Sequence, residues 1–97
     1  MRLLWTELAR ADVNAIWDYL AERNPYAAEM VDSRILREVE GLIQFPKRGR
    51  PGRVAGTREL IIPSLPYLVV YGVERAEVVI YRVVHGAQDI SSWAGEG

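Results

Sequence analysis

The apolar residues of this chain change their spacing once, near residue 57, and that change limits the folds available to the chain. Before it, apolar positions recur every three or four residues, which is the period of an amphipathic helix. After it, short runs of Val, Ile, Leu and Tyr follow one another, as in β-strands. Helices that precede a run of strands favour an α+β fold over an alternating βα fold.

Two helices are predicted in the first half of the chain. The first covers residues 7–23 and ends at Asn24, which is also a good N-cap for the next helix. Pro25 suits the first position of the second helix, which we expect to reach Gln44. So short a break makes residues 7–44 an antiparallel helical hairpin. Its apolar stripes are Ala9, Val13, Ile16 and Leu20, and then Ala28, Val31, Ile35, Val39 and Leu42.

Strands are predicted on both sides of this hairpin. A short apolar strand at residues 1–5 ends at Thr6, a candidate helix N-cap. Three more strands make an antiparallel β-meander over residues 58–85, at 58–63, 67–74 and 78–85, separated by PSLP and ERAE. The predicted fold is α+β: an N-terminal strand and an antiparallel helical hairpin packed on one face of the antiparallel β-meander. Residues 1–97 form one domain, with a basic loop at 45–57 and a C-terminal tail at 86–97.

Composition excludes several classes of protein. The chain has no cysteine, so disulfides and thiolate metal sites are excluded and a reducing cytoplasm is the expected location. One histidine cannot form a multi-histidine metal site, and we expect no metal and no cofactor. No apolar run is long enough to cross a bilayer, so no membrane association is expected. Motifs for phosphate-binding loops, zinc proteases, serine hydrolases and dinucleotide sites are absent from the sequence.

The predicted sheet has two apolar faces but only one helical hairpin to cover them. Strict alternation gives the last strand one face with Val78, Ile80, Arg82 and Val84, and another with Val79, Tyr81, Val83 and His85. One explanation is ordinary half-exposed Val and Tyr residues. The other is a partner protein that covers the second face. Three helical residues off the core stripes would extend such a surface, namely Trp17, Tyr19 and Met30.

A series of short motifs in this order resembles the ParE/RelE superfamily of toxins from bacterial type II toxin–antitoxin modules. The motifs are W-x₇-V-x₂-I-x₂-Y-L, NPYAA, FPKRGRPGR, GTREL, YLVVY and RVVHGAQD, which together cover nearly the whole chain. The resemblance implies a small ParD-like antitoxin that wraps the toxin and binds operator DNA, so that DNA is contacted only indirectly. It also implies a hetero-oligomer, expected to be a heterotetramer or larger.

Two activities occur in the superfamily, and the residues favour one. RelE-like members cut mRNA on the ribosome, whereas ParE-like members inhibit DNA gyrase without catalytic residues of their own. Positions that carry basic side chains in the nuclease branch hold Glu59, Ile61, Leu68 and Gln88 here. A carboxylate and aliphatic groups cannot neutralise a phosphate, so a non-enzymatic gyrase inhibitor is the first hypothesis. The alternatives are a ribonuclease using Arg58, Arg82 and His85, and a family member that has lost toxicity.

Seven residues are candidates for antitoxin binding, and each has a structural alternative. Arg58 and Arg82 lie in strands, where they either contact a partner or pair with a local acid such as Glu59 or Glu74. Tyr67 and Tyr71 share one face of a regular strand and belong either to the core or to the groove. The remaining candidates are Trp17, Tyr19 and Met30.

The basic loop supplies the candidates for contact with the target. Residues 45–60 contain five of the twelve basic side chains but one acidic side chain, in a chain of net charge −1. Glycine and proline keep the segment irregular, and we expect its charges to be solvated. It is either a soluble linker or an electropositive rim that attracts an acidic partner. The candidates are Lys47, Arg48, Arg50 and Arg53, together with His85, whose alternative role is structural.

Overall fold

The computed structural model describes residues 1–86, so the predicted tail at 86–97 lies almost wholly outside the described residues. A five-stranded sheet has the order β1-β5-β4-β3-β2. β1 pairs parallel with β5, and all other neighbours pair antiparallel. The predicted α+β class is confirmed. The elements are β1 (Arg2–Trp5), α1 (Glu7–Arg23), α2 (Pro25–Glu40), a 3₁₀ turn (Gly41–Ile43), β2 (Arg50–Pro51), β3 (Arg58–Ile61), β4 (Tyr67–Glu74) and β5 (Glu77–His85).

Both helices begin at the predicted capping residues. The hydroxyl of Thr6 accepts a hydrogen bond from the N–H of Ala9 at 3.0 Å, and this bond caps α1. The side-chain oxygen of Asn24 accepts from the N–H groups of Tyr26 and Ala27 at 3.1 and 3.3 Å, which caps α2. Each cap satisfies backbone donors that have no partner inside the helix. The sharp turn of the hairpin therefore follows from local sequence.

The second helix is shorter than predicted. α2 ends at Glu40, whereas the apolar spacing predicted an end at Gln44. A glycine at position 41 begins the 3₁₀ turn, and glycine is a poor helix former because it leaves the backbone with more freedom to lose. Leu42 is nevertheless fully buried, since the tighter turn keeps it on the side of the core.

The main core lies between the hairpin and one face of the sheet. Both predicted helical stripes point into it, and all five residues of the second stripe are buried. β3 and β4 contribute alternate residues, as the pleat of a strand requires. The core residues are Ala9, Val31, Ile35, Val39, Leu42, Leu60, Ile62, Val69, Tyr71, Val78, Ile80 and Val83.

A β-bulge interrupts the pairing of β4 with β5. Val70 is opposite Arg82, but the next residue, Tyr71, is opposite Ile80. Tyr81 is therefore an extra residue in β5, with no residue opposite it in β4. A bulge of this kind bends the strand and shifts the side chains that follow it to other faces.

The bulge overturns the strict alternation predicted for the last strand. Val83, and not Val84, joins Ile80 in the main core. Val84 packs instead with Leu68 and Val70 in a second cluster on the opposite face of the sheet. Beyond Ile80, the prediction that every second residue shares a face is wrong, because one inserted residue exchanges the two faces.

The second face of the sheet is not short of cover at its centre. Leu68, Val70 and Val84 are 3%, 0% and 2% exposed, so the expectation that this face lies bare is wrong there. Cover is not limited to the helices. The basic loop also contributes, because β2 pairs with β3 and two of its arginines contact Glu59, the neighbour of Val70 across the ladder. Exposed apolar side chains remain towards the sides of this face, at Leu4 and Ile61.

Candidate functional site

Glu59 organises the basic loop. Its side chain is 1% exposed, and one carboxylate oxygen accepts a hydrogen bond from the Arg50 guanidinium at 3.0 Å. The other oxygen accepts from the backbone N–H of Arg53 at 2.8 Å and from Nε of Arg53 at 3.2 Å. Both arginines remain about half exposed. The expectation that the charges of the loop are solvated is thus only partly right for Arg50 and Arg53, since a buried carboxylate binds both of them.

The environment of Glu59 favours its charged form. Burial acts to raise the pKa of Glu59, but the hydrogen bonds from the Arg53 N–H and from both guanidiniums outweigh burial and lower the pKa below its ordinary value of 4.5. The carboxylate is thus ionised at neutral pH, as its three donors require. A third arginine of the loop, Arg48, pairs with Glu38 of α2.

The side chain of Tyr71 links the basic loop to the core through two hydrogen bonds. Its hydroxyl donates to the carbonyl of Pro46 at 2.7 Å and accepts from the N–H of Gly49 at 2.8 Å. A Cβ added to Gly49 would lie 2.7 Å from the ring and hydroxyl of Tyr71, so only glycine fits there. Burial raises the pKa of Tyr71 above 10.0. Tyr71 is fully buried and offers no surface to a partner, which corrects its assignment as a binding candidate.

Lys47 and Arg58 differ from the other basic side chains of the loop. Nη1 of Arg58 donates to the carbonyls of Gly49 and Lys47 at 2.8 and 3.4 Å. Arg58 does not pair with Glu59, because adjacent residues of a strand point to opposite faces. Within residues 1–86, neither Lys47 nor Arg58 contacts a carboxylate. They line one concavity of about 390 Å³ with Pro51, Gly56, Thr57 and Val73.

Arg82 forms an ion pair with Asp12 of α1. Nε and Nη2 of Arg82 donate to the two carboxylate oxygens of Asp12 at 2.8 and 2.9 Å, and both side chains are more than four-fifths buried. The pairing is bidentate, which is the strongest geometry for these two groups. The structural alternative for Arg82 is thus present, although its partner is neither Glu59 nor Glu74.

The start of α1 closes the edge of β5 that β1 leaves uncovered. The N–H and hydroxyl of Thr6 donate to the carbonyls of Ile80 and Tyr81 at 3.1 and 2.9 Å. Further along, the N–H of Val83 donates to the Asp12 carboxylate at 2.9 Å. The helix therefore supplies the hydrogen bonds that a neighbouring strand would supply, which blunts an exposed strand edge.

A second concavity brings together three predicted binding residues. Tyr19, Tyr67 and His85 line a groove of about 430 Å³ between α1 and the end of the sheet, which we call the aromatic groove; its other lining residues are Ala15, Ile16 and Pro66. The Tyr67 and His85 rings meet edge to face, with centroids 6.1 Å apart. Burial and the neighbouring Tyr19 raise the pKa of Tyr67.

Other candidates on the hairpin are exposed, as the sequence predicted. Trp17, Tyr19 and Met30 are 39%, 57% and 50% exposed. The guanidinium of Arg23 lies over the ring of Tyr19, 3.7 Å from its centroid, in a cation–π contact. That these three side chains bind a partner stays a prediction.

The three residues of the ribonuclease alternative do not meet. Arg58 is opposite Tyr71 and His85 is opposite Tyr67, so they lie four positions apart along β4. At the rise of a strand this is about 13 Å. Arg82, between them in the register, is bound to Asp12.

Sequence reasoning missed the roles of Asp12 and Glu59. A signal for Asp12 was present, because it lies three residues after Ala9 and four before Ile16, on the edge of the apolar stripe. A carboxylate at such a position needs a cation from the facing sheet. Glu59 gave no such signal, since its partners come from an irregular segment whose path no period predicts.

Within the described residues, no cluster of three or more metal-ligating side chains is present. No helix there is long and apolar enough to cross a membrane. Small α+β domains of this kind, with a helical hairpin on a five-stranded sheet, have solved counterparts. One is a chain of the chromosomal ParDE toxin–antitoxin system of P. aeruginosa, with a TM-score of 0.82, 32% identity, and coverage of 88% of this chain and 95% of that one.

The sequence itself defines the family. The sequence model of one protein family, the ParE toxin of type II toxin–antitoxin systems, matches residues 3–90. This chain belongs to that family. It is 38% identical to Y4kP of Sinorhizobium fredii, which is named as a toxin, over 90% of each chain. It is also 36% identical to the toxin RelE2 of Caulobacter vibrioides, over 90% of this chain and 97% of that one.

Proposed function

We propose that this chain is the toxin of a ParDE-type pair, which inhibits DNA gyrase in the cytoplasm and is neutralised by a tightly bound, ParD-like antitoxin. The observation that carries the proposal is the likeness to the ParDE system of P. aeruginosa over 88% of the chain. In this proposal no residue is catalytic, and DNA is contacted only through the antitoxin. The complex with the antitoxin is a heterotetramer or larger.

For the antitoxin we propose the hairpin side of the molecule. Trp17, Tyr19 and Met30 are exposed there, and Tyr67 joins Tyr19 in the aromatic groove. Aromatic and methionine side chains are enriched where proteins bind each other. Arg82 is left out of this surface, because its guanidinium holds α1 to the sheet through Asp12.

For the target we propose the basic loop together with His85, which lines the aromatic groove and also a concavity of about 330 Å³ that contains Arg50. The loop carries Lys47, Arg48, Arg50 and Arg53, which are all exposed. Glu38 and Glu59 offset part of the positive charge, so the remaining field is centred nearer Lys47. A field of this sign steers acidic surfaces towards the loop.

Ribosome-dependent cleavage of mRNA ranks second. A relative with 36% identity is named RelE2, which is the reason to test for it. Against it, cleavage needs a general base and cations that reach the same scissile phosphate group at the same time. Arg58 and His85 lie four positions apart along β4, and Arg82 is bound to the carboxylate of Asp12.

Two assays on the purified chain separate these functions. We expect the chain to inhibit supercoiling of relaxed plasmid by gyrase and to leave mRNA intact in a reconstituted translation reaction. The antitoxin, taken from an adjacent reading frame with a ribbon-helix-helix pattern, should abolish the inhibition. A Tyr19→Ser variant should inhibit gyrase normally but resist neutralisation. If mRNA is cut while supercoiling proceeds normally, the proposal is wrong.

A further inference from the structure

Some basic side chains in and beside the basic loop are paired with a carboxylate and others are not. Arg48 is opposed by Glu38, and Arg50 and Arg53 by Glu59. Lys47 and Arg58 contact no carboxylate in the described part of the chain. Arg58 uses Nη1 for two backbone carbonyls, while its Nε and Nη2 make no hydrogen bond within residues 1–86. Two cations thus line the same concavity, with donors that have no acceptor in the described residues.

An apolar surface lies next to these cations. A concavity of about 590 Å³ is lined by residues 44–48, where the ring of Phe45 is 59% exposed. It shares Lys47 with the concavity of about 390 Å³ that Arg58 lines. Together the two concavities form what we call the loop groove. Along it, an apolar site at Phe45 is followed by a cationic site at Lys47 and Arg58.

The loop groove is fixed before any partner arrives. The Tyr71 hydroxyl binds the backbone on both sides of Lys47, at Pro46 and at Gly49. Arg58 binds the same stretch through the carbonyls of Lys47 and Gly49. A surface that is already ordered loses less entropy when it binds. The arrangement is therefore suited to recognition.

We propose that the loop groove binds an extended segment of a partner polypeptide in which an acidic residue lies close to a large apolar one. The apolar side chain packs on Phe45, and the carboxylate accepts hydrogen bonds from Lys47 and Arg58. A polypeptide fits better than a nucleic acid, because two cations beside an apolar concavity, in a chain of net charge −1, offer few phosphate contacts. The proposal does not depend on whether gyrase is the target.

The sequence provides a selective probe, because Lys47 is the only lysine. Reductive methylation with ¹³C-formaldehyde keeps the positive charge and labels two amines, Lys47 and the N-terminus of Met1. The probe ligand is an acetylated octapeptide of alternating leucine and glutamate. We expect it to shift the Lys47 methyl signal saturably and to leave the Met1 signal in place, which serves as an internal control. The same peptide with glutamine for glutamate should bind about tenfold more weakly, because charged acceptors form the stronger hydrogen bonds.

Two variants test the apolar half of the site. Phe45→Ser should weaken binding of the leucine–glutamate peptide several-fold, whereas Tyr26→Ser should not, since Tyr26 is 86% exposed and lines neither concavity. The proposal is overturned if neither peptide moves the Lys47 signal, or if the glutamine peptide binds equally well. It is also overturned if Phe45→Ser binds normally, or if an oligothymidylate of eight nucleotides binds more tightly than the peptide.

Discussion

On each side of the central strand β4, at β5 and at β3, a carboxylate is bound to arginine, but the two arrangements differ. On the β5 side, Asp12 lies in a capped helix and Arg82 lies in a strand, so regular elements position both partners. On the β3 side, Glu59 lies in a strand, but Arg50 and Arg53 lie in or beside the two-residue strand β2. The first pair joins two regular elements, a helix and a strand. Glu59 and its two arginines organise a segment that has little other regular structure.

The comparison predicts different consequences when each carboxylate is removed. Without Asp12, α1 keeps the hydrogen bonds of Thr6 to β5 but loses those to Arg82 and Val83, and the whole domain is destabilised. Without Glu59, the basic loop is released first, while the hairpin and the central strands keep their core. Local release of this kind is common where few apolar contacts hold a segment.

The largest effect is expected from Asp12→Ala. Arg82 is 18% exposed and would lose its bidentate partner, and the Val83 N–H would lose its acceptor. Breaking such a pair costs about 3 kcal/mol of the free energy of unfolding. Urea denaturation measures it, with Asp18→Ala as the matched control, because Asp18 is an exposed acid on the same helix. Equal losses for the two variants would contradict the role given to Asp12.

A smaller effect is expected from Glu59→Gln. The buried carboxylate holds three donors, but its two arginines are half exposed and regain water when released. We therefore expect a loss of about 2 kcal/mol, below the usual cost of breaking a buried pair. Hydrogen exchange should show faster exchange at the Arg53 amide and unchanged exchange in β4. Faster hydrogen exchange throughout the domain would show that loss of Glu59, like loss of Asp12, destabilises the whole domain.

The stability that Glu59 contributes depends on pH in a defined direction. The folded pKa is lowered from 4.5, so the contribution is complete above about pH 4.5 and disappears as the pH falls through the folded pKa. The difference in unfolding free energy between the native chain and Glu59→Gln should therefore shrink below that pH. A difference that stays constant down to pH 3 would contradict the assignment.

The same contrast explains how much of the fold could be read from the sequence. The caps at Thr6 and Asn24 and the helical stripes were predictable, because each depends on residues close together in the chain. The bulge at Tyr81 was not, since nothing local distinguishes an inserted residue from regular alternation.

The candidate site was harder to predict for a related reason. Of the two roles predicted for the strand arginines, pairing with an acid applies to Arg82 and not to Arg58, and Asp12 is 70 residues away from Arg82 in the chain. Tyr71 appeared as suitable for a groove as Tyr67, because the pattern gives the face of a residue but not what covers it. The loop that covers Tyr71 has no period, so its position follows from bonds to residues elsewhere in the chain, among them Tyr71, Glu59 and Arg58.

The smallest effect is expected from Tyr71→Phe. It tests whether the hydrogen bonds of the neutral Tyr71 hydroxyl hold the basic loop independently of the Glu59 ion pairs. Phenylalanine keeps the packing but leaves the buried Gly49 N–H without its acceptor and the Pro46 carbonyl without its donor. We expect a loss of about 1–2 kcal/mol by urea denaturation, the usual cost of an unsatisfied buried group. Tyr26→Phe, at an 86% exposed position, should cost nothing measurable. Because the pKa of Tyr71 is raised above 10.0, its hydroxyl stays neutral in acid, and the loss should be the same at pH 7 and pH 3. A loss that fades in acid, as that of Glu59→Gln should, would mean that the tether depends on the ion pairs and that the loop has one support where we describe two.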